Sequence, residues 1–426
     1  MRRLLSRDSR VERLIQDGTW VGVGQALSVI AQLIGLRVIT ALASPGVYGE
    51  AALLIGAIGL VRDVFCAPVL SATLRFFPEA AAEGRSGALR KVMTSFLVRR
   101  TLIAALFLFC GGAAWLAFSK AEMSLVVFGV LVILLGLEVR RLFEMDVLNA
   151  QRRQAAFAMW GTSDTWARVL CAIGMITIFE PSALSIVLGY AIGAGIVNVL
   201  VTPRVVSTPR DDASGDVVWA TSVRARISSY AAPLAPLAIL AWITTLGDRY
   251  ALAEMVNADE VGVYAAAAGL ASQPFLLVSS TIAITFRPIL FSSVAAKDMR
   301  RKRLTLSSWL ALLLAAFIPG VILLDTLSEA IVQLLLGEEF WSAAPLLVWI
   351  GIATAIRAVE HVFSNLIYAV GRTDRLIVVQ GAASATALGL FVVLIPEYGA
   401  LGAALAIVGS RLVALGVTLW ISRSHL

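Results

Sequence analysis

Lysine is scarce in this 426-residue chain. There are four, and none sits between a glycine and a serine or threonine. A loop that cradles nucleotide phosphates needs a lysine in that place, so ATP hydrolysis is not expected unless a partner supplies it. Cysteine is rarer still. Cys66, Cys110 and Cys171 lie in apolar stretches at spacings that suit neither a metal site nor a disulfide framework. They read as small buried hydrophobes, and no metal or other cofactor is expected. Histidine occurs twice, and only His361 lies in an apolar run. There is no histidine cluster and no nucleophile elbow. Asp211-Asp212 is the only acidic doublet in the long polar segment, too little to hold a metal and a sugar donor. The chain therefore reads as a non-enzyme. Charge is thin throughout, at 15% of residues, against about 25% in a soluble domain.

What is present in excess is apolar. Hydrophobic residues make up 59%, and the mean hydropathy is +0.86. A single soluble core stops growing near ~250–300 residues, so this excess requires lipid as solvent. The net charge of +7 does not signal nucleic acid, because the basic residues fall between apolar runs. Runs of about 20 residues give twelve expected spans: 18–42, 47–70, 95–118, 123–146, 155–178, 183–206, 229–254, 261–291, 305–325, 343–369, 376–395 and 398–421. The first run follows a basic N-terminus but is long enough to span, so it is expected to be a retained helix and not a signal peptide.

Orientation follows from where the basic residues fall. With the N-terminus inside, the N-terminal tail, the even-numbered connections and Arg423 hold nearly every loop arginine and lysine. Arg75–Arg100, Arg140–Arg153 and Lys297–Arg303 are the densest clusters, and Lys120 alone falls outside. That asymmetry predicts an even number of helices with both termini cytoplasmic. Three parts are expected: a six-helix lobe over 1–206, a polar cytoplasmic linker over 207–228 and a second six-helix lobe over 229–426. The GxxxG of Gly189 and Gly193 fits helix packing within the bundle and dimerisation equally well.

The two halves echo one another. Ser44-Pro-Gly-Val-Tyr-Gly49 matches Ala258-Asp-Glu-Val-Gly262-Val-Tyr, with the glycines 213 residues apart. Leu148-Asn-Ala-Gln-Arg-Arg matches Tyr368-Ala-Val-Gly-Arg-Thr, about 219 later. Six spans per half preserve the orientation, so the pattern is a duplication with parallel repeats.

Four segments in order carry a resemblance. They are Arg37-Val-Ile-Thr-Ala-Leu-Ala-Ser-Pro-Gly-Val-Tyr-Gly49; Gly247-Asp-Arg-Tyr250 with Glu260-Val-Gly-Val-Tyr264; Leu335-Leu-Gly-Glu-Glu-Phe340 with Ala343-Ala-Pro-Leu346; and Ile395-Pro-Glu-Tyr-Gly-Ala-Leu-Gly-Ala-Ala404. Together they resemble the multidrug/oligosaccharidyl-lipid/polysaccharide exporter superfamily, in its polysaccharide-biosynthesis branch of Wzx-type O-antigen flippases. The resemblance implies an all-α integral membrane protein of the bacterial inner membrane, with two six-helix lobes around a central cavity. It implies alternating access and an isoprenyl-diphosphate-linked oligosaccharide as substrate, for O-antigen, capsule or exopolysaccharide synthesis. A polysaccharide polymerase and a chain-length regulator are the implied partners, besides membrane lipids.

Ionised groups inside spans are expensive and therefore informative. Arg62, Arg357 and Arg411 lie nearest mid-membrane, and they are the first candidates for a cationic cavity. Arg62 adjoins Asp63, but chain neighbours point apart. Arg37, Arg249 and Arg287 lie nearer span ends, where they can snorkel. Arg168 has Asp164 one turn earlier and reads as a structural pair. Guanidinium binds phosphate through two parallel hydrogen bonds and stays charged. Gln25, Ser28 and Gln32 share a face of the first span and are candidate sugar-facing groups. Glu360, His361, Asp63 and Asp248 are candidate ion-coupling groups. A cation-coupled drug antiporter of the same superfamily is the alternative reading, with a membrane polymerase or glycosyltransferase third.

Overall fold

The computed structural model describes residues 2–118, 124–205, 217–372 and 374–423. Lys120 and Asp211-Asp212 lie outside the described residues. Among those described, the chain is helical and has no strand. Among the described residues, eight helices are long and apolar enough to cross a bilayer, nine with a bent pair that breaks by 51° at Cys66. Each of the twelve expected windows falls largely on helix.

Chain contacts divide the molecule into two compact units, Met1–Gly35 with Leu54–Ile239, and Leu36–Leu53 with Leu240–Leu426. The division therefore falls later than the expected linker, and a short early segment joins the second unit.

Unit 1 contains the first part of α1 (Arg2–Leu42) and the second part of α2 (Pro45–Phe65). It continues with α3 (Ala67–Ala82), α4 (Ser86–Phe118), α5 (Leu125–Ala150), α6 (Gln154–Ile178), α7 (Ala183–Leu200), the short α8 (Thr202–Val205) and α9 (Val217–Ala231). Pro68 sits in the first turn of α3, where its missing N–H costs nothing, so the chain restarts there after the Cys66 break. Ser124 and Ser182 cap α5 and α7 through the Val126 and Ser185 amides at 3.2 and 3.1 Å. Gly189 and Gly193 lie against the α6 backbone at Ala172 and Ala167, where a Cβ would collide. The GxxxG face is thus occupied by α6 within the unit.

α9 covers the second part of the expected linker. The Arg226 guanidinium meets Glu79 at 2.8 Å and lies over the Phe76 ring, and Trp219 Nε1 donates to Glu83 at 3.2 Å. These contacts hold it on α3.

Unit 2 contains most of α10 (Leu234–Met255), then α11 (Ala258–Ala295), α12 (Met299–Thr326), α13 (Ser328–Leu335), a 3-10 turn (Glu338–Ala343), α14 (Ala344–Ala369) and α15 (Asp374–Ser422). α15 covers the last two expected spans and breaks at Gly399, whose φ of 53° is the left-handed region that glycine enters freely. Asn257 and Asp298 cap α11 and α12 through the amides of Glu260 and Arg301, both at 2.9 Å.

The duplication is visible in the backbone. α3 and α11 end in the same left-handed turn, at Gly84 (φ 68°) and Lys297 (φ 54°), 213 residues apart. α5 and α14 end in another, at Arg152 (φ 56°) and Gly371 (φ 74°), 219 apart. All four exits share one pair of hydrogen bonds, such as Arg85 N–H to Ala80 O with Gly84 N–H to Ala81 O. Equivalent bonds run from Asp298 to Ser293 and from Arg372 to Ile367. These are Schellman motifs. The register slips by six between them, in the stretch that carries α13 and the 3-10 turn.

The segments that carry the resemblance pack on one another inside unit 2. A Cβ on Gly49 would strike the Ala258 carbonyl, and one on Gly262 would strike that of Pro45. Pro45 and Ala258 are themselves repeat equivalents, so α2 and α11 cross through a reciprocal contact. Gly337 N–H donates to Thr40 Oγ1 at 2.9 Å, and Phe340, fully buried, meets the Tyr48 ring edge-on at 5.9 Å. Glu260 accepts from the Ala400 amide at 3.0 Å, beside the Gly399 break.

Candidate functional site

In unit 1 the charged groups of α2, α5 and α6 form ion pairs with one another. Glu138 receives Arg141 at 2.8 Å, Arg168 at 2.5 Å and Arg62 at 3.4 Å. Asp164 receives Arg168 at 2.8 Å and Arg141 at 3.4 Å. Arg62 Nε also meets Asp63 at 2.8 Å. Three guanidinium groups thus face three carboxylates. Neighbouring side chains do converge at Arg62 and Asp63, contrary to the expectation, because the long arginine folds back. Arg62 is therefore a member of a paired network and not a free cavity cation. A second pair, Arg90 with Glu144, joins α4 to α5, with the Arg90 guanidinium over the Phe143 ring. Spacing within one helix accounts for Arg168–Asp164 and for Arg141–Glu138, at i,i+4 and i,i+3. The contacts of Glu138 with Arg62 and Arg168, of Arg141 with Asp164 and of Arg90 with Glu144 run between helices, a proximity that no such spacing discloses.

Ser28 donates to the Gly24 carbonyl at 2.8 Å, and Thr162 of α6 reaches the same carbonyl at 3.0 Å. Gln25 is half-buried and Gln32 exposed. None of the three lines the recesses of unit 2.

Unit 2 is different. Two recesses open between α10, α11, α14 and α15. The larger, about 410 Å³, is lined by Ser279, Ser280, Ile284, Arg287, Arg357 and His361 among others. The smaller, about 190 Å³, is lined by Asp248, Arg249, Ser272, Thr354, Arg357 and Arg411 among others. Leu276, Thr354 and Arg357 belong to both, so the two are contiguous. Four arginines and one carboxylate line the pair.

Each arginine is held differently. Arg411 is buried and donates from a terminal nitrogen to the Thr244 carbonyl of α10 at 2.6 Å. Gln380 and Ser384 bind the same helix, at Thr244 Oγ1 (2.7 Å) and the Leu240 carbonyl (2.8 Å). Arg287 meets His361 Nε2 at 3.2 Å. Arg249 Nε is buried without an acceptor among the described residues. Arg357 is exposed into the recess and makes no hydrogen bond or ion pair with a described residue. Arg37 lies elsewhere in the unit and donates to the Leu336 carbonyl at 2.7 Å, tying α1 to the loop before the 3-10 turn.

The acidic candidates are engaged. Asp248 is buried and accepts from the Tyr264 hydroxyl at 2.6 Å and from the Arg249 amide at 2.8 Å. Glu360 accepts from Ser364 and, at 3.2 Å, from Thr418. A recess with surplus guanidinium and few free carboxylates suits an anion.

A family model described as "Polysaccharide biosynthesis protein" matches residues 81–345, more than half of the chain. The chain belongs to that polysaccharide biosynthesis family. No curated protein matches. Among solved structures, the lipid II flippase MurJ in an inward closed conformation is similar, with a TM-score of 0.74 at 13% identity. The match covers 96% of this chain and 87% of that one. An inward-facing multidrug resistance MATE transporter of the MOP superfamily aligns with a TM-score of 0.67 at 11% identity, over 94% of both chains. A single-residue mutant of the Vibrio cholerae MATE transporter VcmN aligns with a TM-score of 0.63 at 14% identity, over 99% of this chain and 98% of that one. The polysaccharide biosynthesis chain thus has a MOP-type transporter fold and is a multi-pass membrane protein.

Proposed function

We propose that this protein is a flippase that moves an isoprenyl-diphosphate-linked oligosaccharide across the bacterial inner membrane by alternating access. In this reading twelve helices cross, six in each half, and both termini are cytoplasmic. The observation that carries it is the arginine-rich recess of unit 2. A diphosphate brings at least two negative charges and oxygens suited to bidentate guanidinium contacts. Arg357 is paired with no described residue and is open to the recess, so it can bind without first breaking a contact among them. The family match supports polysaccharide synthesis as the setting, and O-antigen, capsule or exopolysaccharide repeat units are the substrates this implies. A polymerase and a chain-length regulator would then act on the product. Translocation, and no bond chemistry, is the role.

The multidrug antiporter reading shares the fold, but a cation carrier needs free carboxylates where this recess presents guanidinium. Glu360 and His361 remain the groups through which an ion gradient would couple. Their partners are Ser364, Thr418 and Arg287, so coupling requires that these contacts change between conformations.

The test is gene deletion followed by measurement of lipid-linked oligosaccharide on each membrane face. Accumulation on the cytoplasmic face, rescued by wild type and not by Arg357→Gln, supports the flippase. Normal glycan export with altered sensitivity to cationic drugs would overturn it.

A further inference from the structure

The two recesses are offset along the two helices that line both, α11 and α14, and these two agree on the order. With the termini inside, as the functional reading has it, α10 runs outward, α11 and α14 inward, and the last turns of α15 inward. The larger recess takes Phe275–Pro288 of α11 and Thr354–His361 of α14, the inner parts of both. The smaller takes Ala268–Leu276 of α11, Ile350–Arg357 of α14 and Thr244–Arg249 of α10, the outer parts. Ala404, Ile407 and Arg411 put α15 on the same outer side. From Ala268 to Pro288 the lining of α11 advances about 30 Å at ~1.5 Å per residue. That is about the thickness of the hydrocarbon layer.

Arginines mark the whole depth. Arg287 stands at the inner level, Arg357 at the junction, and Arg411 with Arg249 at the outer level. The charges are divided between the two recesses, with Arg357 lining both. The junction group, like the Arg249 side chain at the outer level, makes no hydrogen bond or ion pair with a described residue, whereas Arg411 is anchored on Thr244 and Arg287 faces His361. The walls beside the inner arginine are Phe275, Leu276, Ala283 and Ile284, apolar surface that suits the first isoprene units of a lipid anion.

We propose that unit 2 carries the diphosphate on an arginine ladder with two stations, an inner one at Arg287 and Arg357 and an outer one at Arg357 and Arg411. Arg357 is the shared ligand that keeps hold of the anion while its other partner changes. The ladder rests on the flippase reading and adds to it that the lipid-diphosphate portion, and not the glycan, is what this unit recognises.

A polyisoprenyl diphosphate with a photoreactive group beside the diphosphate tests this in vesicles holding the full chain. Wild type is expected to give cross-links in two clusters, around Ser280–Ile284 and around Thr245–Ser272. Arg411→Gln should deplete the outer cluster only and Arg287→Gln the inner only, while Arg357→Gln lowers both by roughly tenfold, the worth of one lost charge-assisted contact. Arg411→Lys keeps a buried cation in place if the glutamine variant fails to fold, and it should restore outer cross-linking in part. A single cluster in wild type, or equal loss from both clusters in the Arg287 and Arg411 variants, would overturn the ladder. Full competition by an anionic phospholipid would overturn it too, as ordinary lipid occupancy. If the wild-type chain still translocates the lipid in those cases, the flippase reading survives alone. If it neither binds nor translocates, both fall.

Discussion

Single residues show how far two copies of one design have diverged. Glu138 and Arg357 stand 219 residues apart, in the register set by the Arg152 and Gly371 turns. At this position unit 1 has an anion enclosed by three arginines, and unit 2 has a cation that no described residue pairs. Removing one partner of a buried ion pair leaves charge uncompensated, at a cost of ~3–5 kcal/mol. Glu138→Gln should therefore lower the unfolding midpoint sharply, and Arg62→Gln by less, because Arg62 is a quarter exposed and Arg141 and Arg168 remain on Glu138. Arg357→Gln should leave stability within about 0.5 kcal/mol, since no hydrogen bond or ion pair with a described residue is lost. Thermal unfolding of the purified proteins in detergent checks all three. Depth within a span singles out Arg62, Arg357 and Arg411 from the sequence. Depth is readable there, but pairing is not, because Arg62 finds Glu138 on another helix and Arg357 finds no partner among the described residues.

At the scale of helices, the close crossings are made where side chains are absent. Gly49 and Gly262 lie carbonyl-to-glycine across the α2–α11 crossing, so Gly262→Ala forces the helices apart. Overpacking of this kind costs ~1–3 kcal/mol or more. The expected outcome is a lower unfolding midpoint for Gly49→Ala and for Gly262→Ala, and a double variant no worse than the sum, since both changes relieve through the same separation. In the sequence these glycines are legible as a repeat, though not as a mutual contact. Other elements are less legible. The span 47–70 reads as one apolar run, and its break at Cys66 is announced only by Pro68. The polar composition of 207–228 suggests a bare linker, yet its second part is helix, because Trp219 and Arg226 find Glu83 and Glu79 on α3. Two of the four left-handed exits carry glycine, which sequence can flag. Arg152 and Lys297 adopt the same conformation without one, held by the Schellman hydrogen bonds.

For the whole molecule, the legible features are the ones lipid imposes. The apolar windows fall on helix, and the repeat recurs in the exits of α3, α5, α11 and α14. Two windows, α5 and α6, are not among the most apolar helices because they carry the unit 1 ion network. The arginine and lysine asymmetry predicts a topology that single cysteines can check. In a background lacking Cys66, Cys110 and Cys171, a cysteine at Lys297 or Gly371 should react with an impermeant thiol reagent only from the cytoplasmic side. One at Asn257 should react only from outside. The division of labour between the units is the part that composition hides, because net charge counts arginines without saying which are spoken for.

That division is tested most directly by translocation in vesicles. Purified wild type, Arg357→Gln and Arg357→Lys would be compared for movement of a polyisoprenyl-diphosphate sugar between leaflets, alongside their thermal unfolding. The glutamine variant is expected to fold as wild type does and to move the lipid at roughly a tenth of the rate or less, a loss of ~1.4 kcal/mol or more, with lysine restoring part of it. Wild-type translocation by a folded Arg357→Gln protein would contradict the account.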